Sequence, residues 1–296
     1  MEIYKIKAFR ILVLTALGLV FSCGAEANNN QEEKQITAVT TNTILADMVK
    51  NVGGSKVKVT SIVGLDQEMH NYVPKPKDIT KLNEADVVIA NGLNIDNWVE
   101  RGKDNIKIIY LSDGLNLLTH DGETDPHCWN SPVNGQKYVS RIARELCNLS
   151  SKDCTFFTSN SEQYQTRIKE IYSHYLNNFN KLSEDQRILI TSHEAFNYLA
   201  EDFNLRIIAI NSINEHNEIS AGQLANIIKS IKDNHIKTIF LENASNSKFT
   251  NQIVNETGIT IGGILYSDSL SKDEEGSTYL KLLEHNLSTI YKGISE

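Results

Sequence analysis

From residue 36 onward, apolar runs of strand length alternate with stretches in which apolar residues recur at helical spacing. ITAVT (36–40) reads as a strand. TILADMVKNVGG follows as a helix, with Ile44, Leu45, Met48 and Val49 on one face and Gly53-Gly54 at its end. VKVTSIV (57–63) is a second strand. A helix near 77–84 leads into DVVIAN (86–91), whose unbroken apolar run predicts a strand buried on both faces. IDNWVER is a short helix, and IKIIYL (106–111) is another strand. The rhythm restarts with strands RILIT (187–191), LRIIAI (205–210), KTIFL (237–241) and ITIGGILY (259–266). Helices are expected around 194–202, 220–233, 247–257 and 276–292. Strands and helices in this alternation predict an α/β fold, with mostly parallel sheets covered by helices.

Between the two series lies FTSNSEQYQTRIKEIYSHYLNNFNKL (157–182), which contains neither Gly nor Pro. Tyr164, Ile168, Ile171, Tyr175, Leu176 and Phe179 recur at helical spacing, and Thr158 to Ser161 offer N-caps. A flexible tether would be rich in Gly, Ser or Pro. One long rigid helix is therefore expected at 157–183, joining an N-terminal α/β lobe at 28–156 to a C-terminal α/β lobe at 184–296.

The first residues follow another pattern. Lys5, Lys7 and Arg10 precede the apolar ILVLTALGLVF (11–21), which is too short for a stable membrane anchor and gives way at once to polar residues. Residues 1–27 are read as an export signal. VFSC (20–23) resembles a lipobox that would place a lipid on Cys23, although bulky Phe21 departs from the usual pattern. AEA (25–27) offers an ordinary signal-peptidase site. The lipoprotein reading is adopted. Either cut puts the chain in the periplasm or on the outer face of the cytoplasmic membrane. NNNQEEKQ then forms a polar tether.

About 270 residues remain, near the size at which one core divides into two. The formal net charge is -8. Cleavage before Cys23 removes Glu2, Lys5, Lys7 and Arg10, a net +2, which leaves -10. Such a chain has nothing to neutralise phosphate, so nucleic acid is excluded as a partner. The same charge is compatible with attracting cations. Cys128, Cys147 and Cys154 follow Cys23, without a C-x-x-C pattern for a zinc knuckle. Export permits a disulfide, and Cys147 and Cys154 flank a short polar loop across which they could pair. Cys128 would then be a small buried residue beside His127.

Ligand sites in open α/β sheets lie beyond the carboxyl ends of the strands. Four loops there carry side chains that bind metals. GLDQEMHNYVPKPKD holds His70, TDPHCW holds His127, TSHEAF holds His193 and YSDSLS holds Asp268. Two come from each half, so facing lobes would bring them together in the cleft between them. The separations, 57, 66 and 75 residues, match no local zinc motif, and HEAF lacks the second His of H-E-x-x-H. Three imidazoles and a carboxylate do suit a borderline divalent ion such as zinc. Each residue also has a purely structural reading. His70 and His127 stand in proline-rich turns, His193 in the first turn of a helix, and Asp268 at an N-cap or turn. His174, His216, His235 and His285 sit in polar, surface-like sequence, and His120 is at most an accessory capture residue.

The order of these loops resembles the cluster A-I metal-binding receptors of bacterial ABC importers, a family of zinc- and manganese-binding lipoproteins. TTNTILADMVKNVGG is similar to the family's opening strand and helix, and ADVVIANGLNIDNW to its next strand and loop. The family's first Asp-Pro-His is altered here to Glu68-Met69-His70, while Tyr72, Pro74, Pro76 and Asp78 fit. TDPHCW matches the second Asp-Pro-His, TSHEAFNYLA the third ligand position, and GGILYSDSLS with STYLKLLEHN the C-terminal motif. The resemblance implies two α/β lobes bridged by a long helix, a cleft metal held by His70, His127, His193 and Asp268, and delivery to a membrane permease with its ATPase.

Within the family, a Glu at the third position goes with manganese or iron, so His193 favours zinc. HDGETDPH lacks the His-rich loop of many zinc-specific members, which keeps manganese as the next choice. Glu242, in FLEN at a strand end, is expected to orient a ligand imidazole from behind. The expectation is a monomeric, non-enzymatic receptor. A surface adhesin stabilised by metal is one alternative, and a secreted zinc hydrolase with Glu194 as base is another.

Overall fold

The computed structural model describes residues 34–102, 105–120, 122–211, 219–243 and 248–295; the expected export signal at 1–27 and His216 lie outside them. Strand β1 (Ile36–Thr40) is followed by helix α1 (Thr43–Gly53), whose N-terminus is capped by the Asn42 side chain accepting from the Leu45 N–H at 2.8 Å. Ile44, Leu45, Met48, Val49 and Val52 form its buried face. It stops at Gly54, whose φ of 50° leaves the helical region. Strand β2 (Val57–Ser61), helix α2 (Pro76–Glu84), and strands β3 (Val87–Ala90) and β4 (Ile108–Tyr110) complete an all-parallel sheet in the order β2-β1-β3-β4. All four residues of β3 are buried, as its unbroken apolar run requires. The chain leaves β1 for β2 on one side and returns to β3 on the other. Loops beyond these strands therefore diverge, and a crevice opens at their carboxyl ends.

A two-residue ladder joins β5 (Thr119–His120) to β6 (Glu123–Thr124), and a single helical turn then leads into helix α3 (Pro132–Leu149). This helix is not among those expected from the apolar spacing. Its signals are ordinary: Ser131 caps Asn134 N at 2.9 Å, Pro132 occupies the first turn, and Tyr138, Val139, Ile142, Ala143 and Leu146 line the buried face. Gly135 lets the C-terminal part of the chain approach closely; a Cβ there would fall 2.1 Å from the Tyr279 hydroxyl.

The long helix α4 runs Cys154–Phe179, so it begins three residues before the expected 157 and ends before 183. Thr158 to Ser161 lie inside it rather than capping it. The start is set by a tight turn at Ser150–Asp153 and by a disulfide between Cys147 and Cys154, which ties the end of α3 to the first residue of α4. At 1.5 Å per residue α4 is about 39 Å long. Phe157, Tyr164 and Ile168 pack in one buried cluster, and Tyr175 and Phe179 in another. One helix is thus anchored in both.

Strand β7 (Ile188–His193), helix α5 (Asn197–Phe203), strand β8 (Arg206–Asn211), helix α6 (Ala221–Asp233), strand β9 (Thr238–Glu242), helix α7 (Lys248–Thr257), strand β10 (Thr260–Leu265) and helix α8 (Tyr279–Ser295) follow. β7 pairs in parallel with β8 and β9 with β10, and β7 packs beside β9. Alternate residues face opposite layers. Leu189 and Phe240 pack with α4, α5 and α8, whereas Ile190 and Ile239 pack with α6 and α7. Strand β7 extends through His193, where a loop is expected, and α5 starts three residues later than expected.

Candidate metal centre

His127 follows the β5–β6 hairpin, and its loop is organised by one side chain. Asp125 Oδ1 accepts from the His127 backbone N–H at 2.9 Å and lies 2.7 Å from its Nδ1. Both residues are fully buried. A carboxylate at Nδ1 keeps the proton there and leaves the Nε2 lone pair exposed on the other side of the ring. The available sequence signal for Asp125 is its place two residues before the histidine of an Asp-Pro-His. Asn91 Nδ2 donates to the Pro126 carbonyl at 2.9 Å and fixes the loop from below. Cys128 is buried and unbridged, and burial pushes its thiol up to about 11, so it acts as a small apolar residue.

His193 ends β7, beside the end of β9. Glu242 Oε1 accepts from the His193 N–H at 3.0 Å, and Oε2 lies 2.7 Å from its Nδ1. Burial alone would raise the Glu242 carboxyl, but the facing His193 ring and N–H hold it below its ordinary value. A carboxylate therefore stands behind His193 as Asp125 stands behind His127.

His70 comes from the loop after β2. Its neighbour Met69 is buried, with Sδ 3.0 Å from Asn42 Nδ2. Downstream, Tyr72 donates to Asp78 at 2.8 Å, and Asp78 also accepts from the Lys75 N–H at 2.9 Å, which stiffens the proline-bounded exit. Asp268 comes from the loop after β10. There the Ser267 carbonyl accepts from Trp129 Nε1 at 2.7 Å, and the Leu270 N–H donates to Thr43 Oγ1 at 2.8 Å.

The four side chains meet. One donor atom from each of His70, His127, His193 and Asp268 lies within 4.8 Å of the other three. Nε2 of His127 is 2.9 Å from Nε2 of His70 and 3.4 Å from Nε2 of His193. Asp268 oxygens stand 3.9 Å from His70 Nε2, 3.7 Å from His127 Nε2 and 3.9 Å from His193 Nε2. A tetrahedral ion with bonds near 2.0–2.1 Å would separate its donors by roughly 3.3 Å. The spacing falls around that value.

The other described histidines stand elsewhere. His120 Nδ1 is 2.9 Å from Glu194 Oε1, so the two residues considered for capture and for general base face each other outside the cluster. His174 is exposed on α4, close to Asn178; His285 lies 2.8 Å from the Ile264 carbonyl; His235 follows α6 with φ 51°.

Residues 38–293 match the model of the ZnuA family, described as zinc-uptake complex component A, periplasmic. The chain belongs to this family. It is 31% identical to the iron-binding protein YfeA of Yersinia pestis, over 98% of this chain and 97% of that one. It is 28% identical to the manganese-binding lipoprotein MntA of Halalkalibacterium halodurans, over 97% of this chain and 98% of that one. A manganese-bound periplasmic metal-binding protein from Candidatus Liberibacter asiaticus superposes with a TM-score of 0.81 at 28% identity, covering 88% of this chain and 100% of that one. The family is one of transport receptors, not enzymes, as the motifs implied. Among the described residues no helix is long and apolar enough to cross a membrane.

Proposed function

We propose that this chain captures a divalent transition metal outside the cytoplasm and delivers it to the permease of an ABC importer driven by its ATPase. Zinc is the first choice and manganese the second. The ion is cargo, held by His70, His127, His193 and Asp268. The observation that carries this is the convergence of those four donors at near-tetrahedral spacing. Asp125 and Glu242 support it by holding two of the imidazoles with Nε2 directed inward.

Relatives are named for manganese and for iron, and the family description names zinc. The donor set argues for zinc, since three nitrogens suit a borderline ion and manganese prefers oxygen. Lipid attachment through Cys23 agrees with the lipoprotein names of several relatives. In this reading α4 joins lobes at 28–156 and 184–296, and the protein works as a monomer.

The test uses residues 28–296, stripped of metal and titrated with zinc and manganese against a chelator, with metal content read by mass spectrometry. One tight equivalent of zinc, lost in His193→Ala, is the expected result. Tight manganese retained against zinc would reassign the cargo. Absence of any stoichiometric metal would overturn the reading.

A further inference from the structure

The contacts that hold the four donor loops together fall on two unlike sides. On one side the His127 loop is fixed to α5. Asn197 Nδ2 donates to Asp125 Oδ2 at 3.0 Å, and Tyr198 Oη donates to the Asp125 carbonyl at 2.8 Å. Asn130 Nδ2 donates to the Ala195 carbonyl at 3.0 Å, and Ser131 Oγ to Asp202 Oδ2 at 2.5 Å. Asp125, Asn130, Ser131 and Tyr198 are all buried. Trp129 Nε1 and Asn130 Nδ2 also donate to the Ser267 carbonyl, at 2.7 and 3.2 Å. This side thus joins the His127 loop to the segment after His193 and to the residue just before Asp268, and it shares the protein interior.

The other side joins the His70 loop to the far part of the Asp268 loop, and it lies at the surface. Asp66 dominates it. Its N–H donates to the Leu270 carbonyl at 2.9 Å. Its carboxylate accepts from the Lys272 N–H at 3.2 Å and from Asn243 Nδ2 at 3.3 Å. Its neighbour Gln67 donates its N–H to Ser269 Oγ at 3.1 Å. Leu65, Gln67 and Lys272 are exposed and Asp66 is half-buried. Asp66 also adopts φ 56°, a left-handed conformation unfavourable for a residue with a Cβ. The backbone would be easier with glycine here, so the side chain supplies what glycine lacks.

We propose that Asp66 is a positioning residue of the metal centre: it clasps the loop carrying His70 to the loop carrying Asp268 and thereby sets how fast the metal leaves. The inference rests on the metal reading above. Asp66 lies four residues before one donor, and its carboxylate binds the chain four residues after the other. Releasing it frees the exposed side while the buried side stays closed. The surface position also makes the clasp reachable by a docking partner.

The test loads the mature chain with zinc and follows chelator-triggered release by stopped flow in wild type, Asp66→Ala, Asp66→Gly and Asp66→Asn. Release about tenfold faster is expected for Ala and Gly, the size typical of lost outer contacts to ligands. Asn, which keeps one acceptor oxygen, should fall between them and wild type. Gly accepts the left-handed backbone without strain, so its faster release isolates the loss of the carboxylate. Melting of the metal-free protein should be unchanged in Gly and Asn. Release from the Gly variant at the wild-type rate overturns the clasp while leaving the metal site standing. Faster release that tracks a lowered melting temperature across the variants also overturns it, as a merely structural effect. A wild-type chain that retains no metal overturns both the clasp and the metal reading.

Discussion

Glu242 and Asp125 do the same work for different imidazoles. Each offers an oxygen to a ring Nδ1 and another contact to a backbone N–H, so ring and backbone are held as one unit. Glu242→Gln, which removes the charge that strengthens the ring contact, should weaken zinc affinity by roughly 10- to 100-fold, and Asp125→Asn similarly. Competition titration checks this, and unchanged affinity in both would remove their role. A third buried acid, Asp96, is shifted in the direction opposite to Glu242. Burial pushes Asp96 up to about 6, against the opposing N–H bonds of Asn91 and Gly92. Its folded value lies above its unfolded one, so the folded state takes up the extra proton as pH falls. The unfavourable charge is therefore relieved on going from pH 7 towards 4. The gap from an ordinary 3.8 to about 6 corresponds to ~3 kcal/mol at most. Relative to wild type, Asp96→Asn should be more stable at neutral pH than at pH ~4.5 by about 2 kcal/mol, measured by urea unfolding of the metal-free protein. At this scale the chain was partly legible. His70, His127, His193 and Asp268 stood out because loops beyond strand ends carried them. The carboxylate behind His127 did not, because an Asp before a Pro is already explained by turn chemistry.

The strands were the most legible elements, because β3 and β7 are short apolar runs with no competing period. Boundaries shifted where tertiary contacts decide them. α4 begins at Cys154 because the disulfide and the Ser150–Asp153 turn fix its entry, and neither was apparent from helical spacing. α3 is hidden in the sequence although Ser131-Pro132 is a regular start, because the first residues it buries are Pro132, Asn134 and Gly135, and its apolar period begins only at Tyr138. That start is a cap with two attachments. Ser131 Oγ accepts from Asn134 N and donates to Asp202 on α5. Ser131→Ala should therefore lower folding stability by about 1–2 kcal/mol, the upper part of the range for a lost cap, because the half-buried Asp202 carboxylate also loses a donor. Thermal unfolding of the metal-free protein measures it. A change confined to metal affinity, with stability untouched, would contradict this assignment.

The arrangement of cores constrains how the whole molecule responds to its cargo. Phe157, Tyr164 and Ile168 of α4 are buried in one cluster and Tyr175 and Phe179 in another, so bending α4 between them would disturb the packing of both. The contacts of Asp125 and Ser131 with α5, and of Asn130 with Ala195 just before it, add a buried attachment beside the metal. The centre is thus assembled by the fold rather than by the ion, and the metal-free chain should remain folded and cooperative. Zinc adds stability through binding alone, about 4.1 kcal/mol when free zinc is 1,000 times the dissociation constant. Calorimetry should show one unfolding transition without metal and the same transition at higher temperature with it. Small-angle scattering should show nearly the same radius of gyration in both states. A metal-free chain without a cooperative transition would mean that the ion organises the core, and a contraction typical of hinge closure would mean that α4 bends. Either result would remove the link drawn here between a continuous helix and a preformed site.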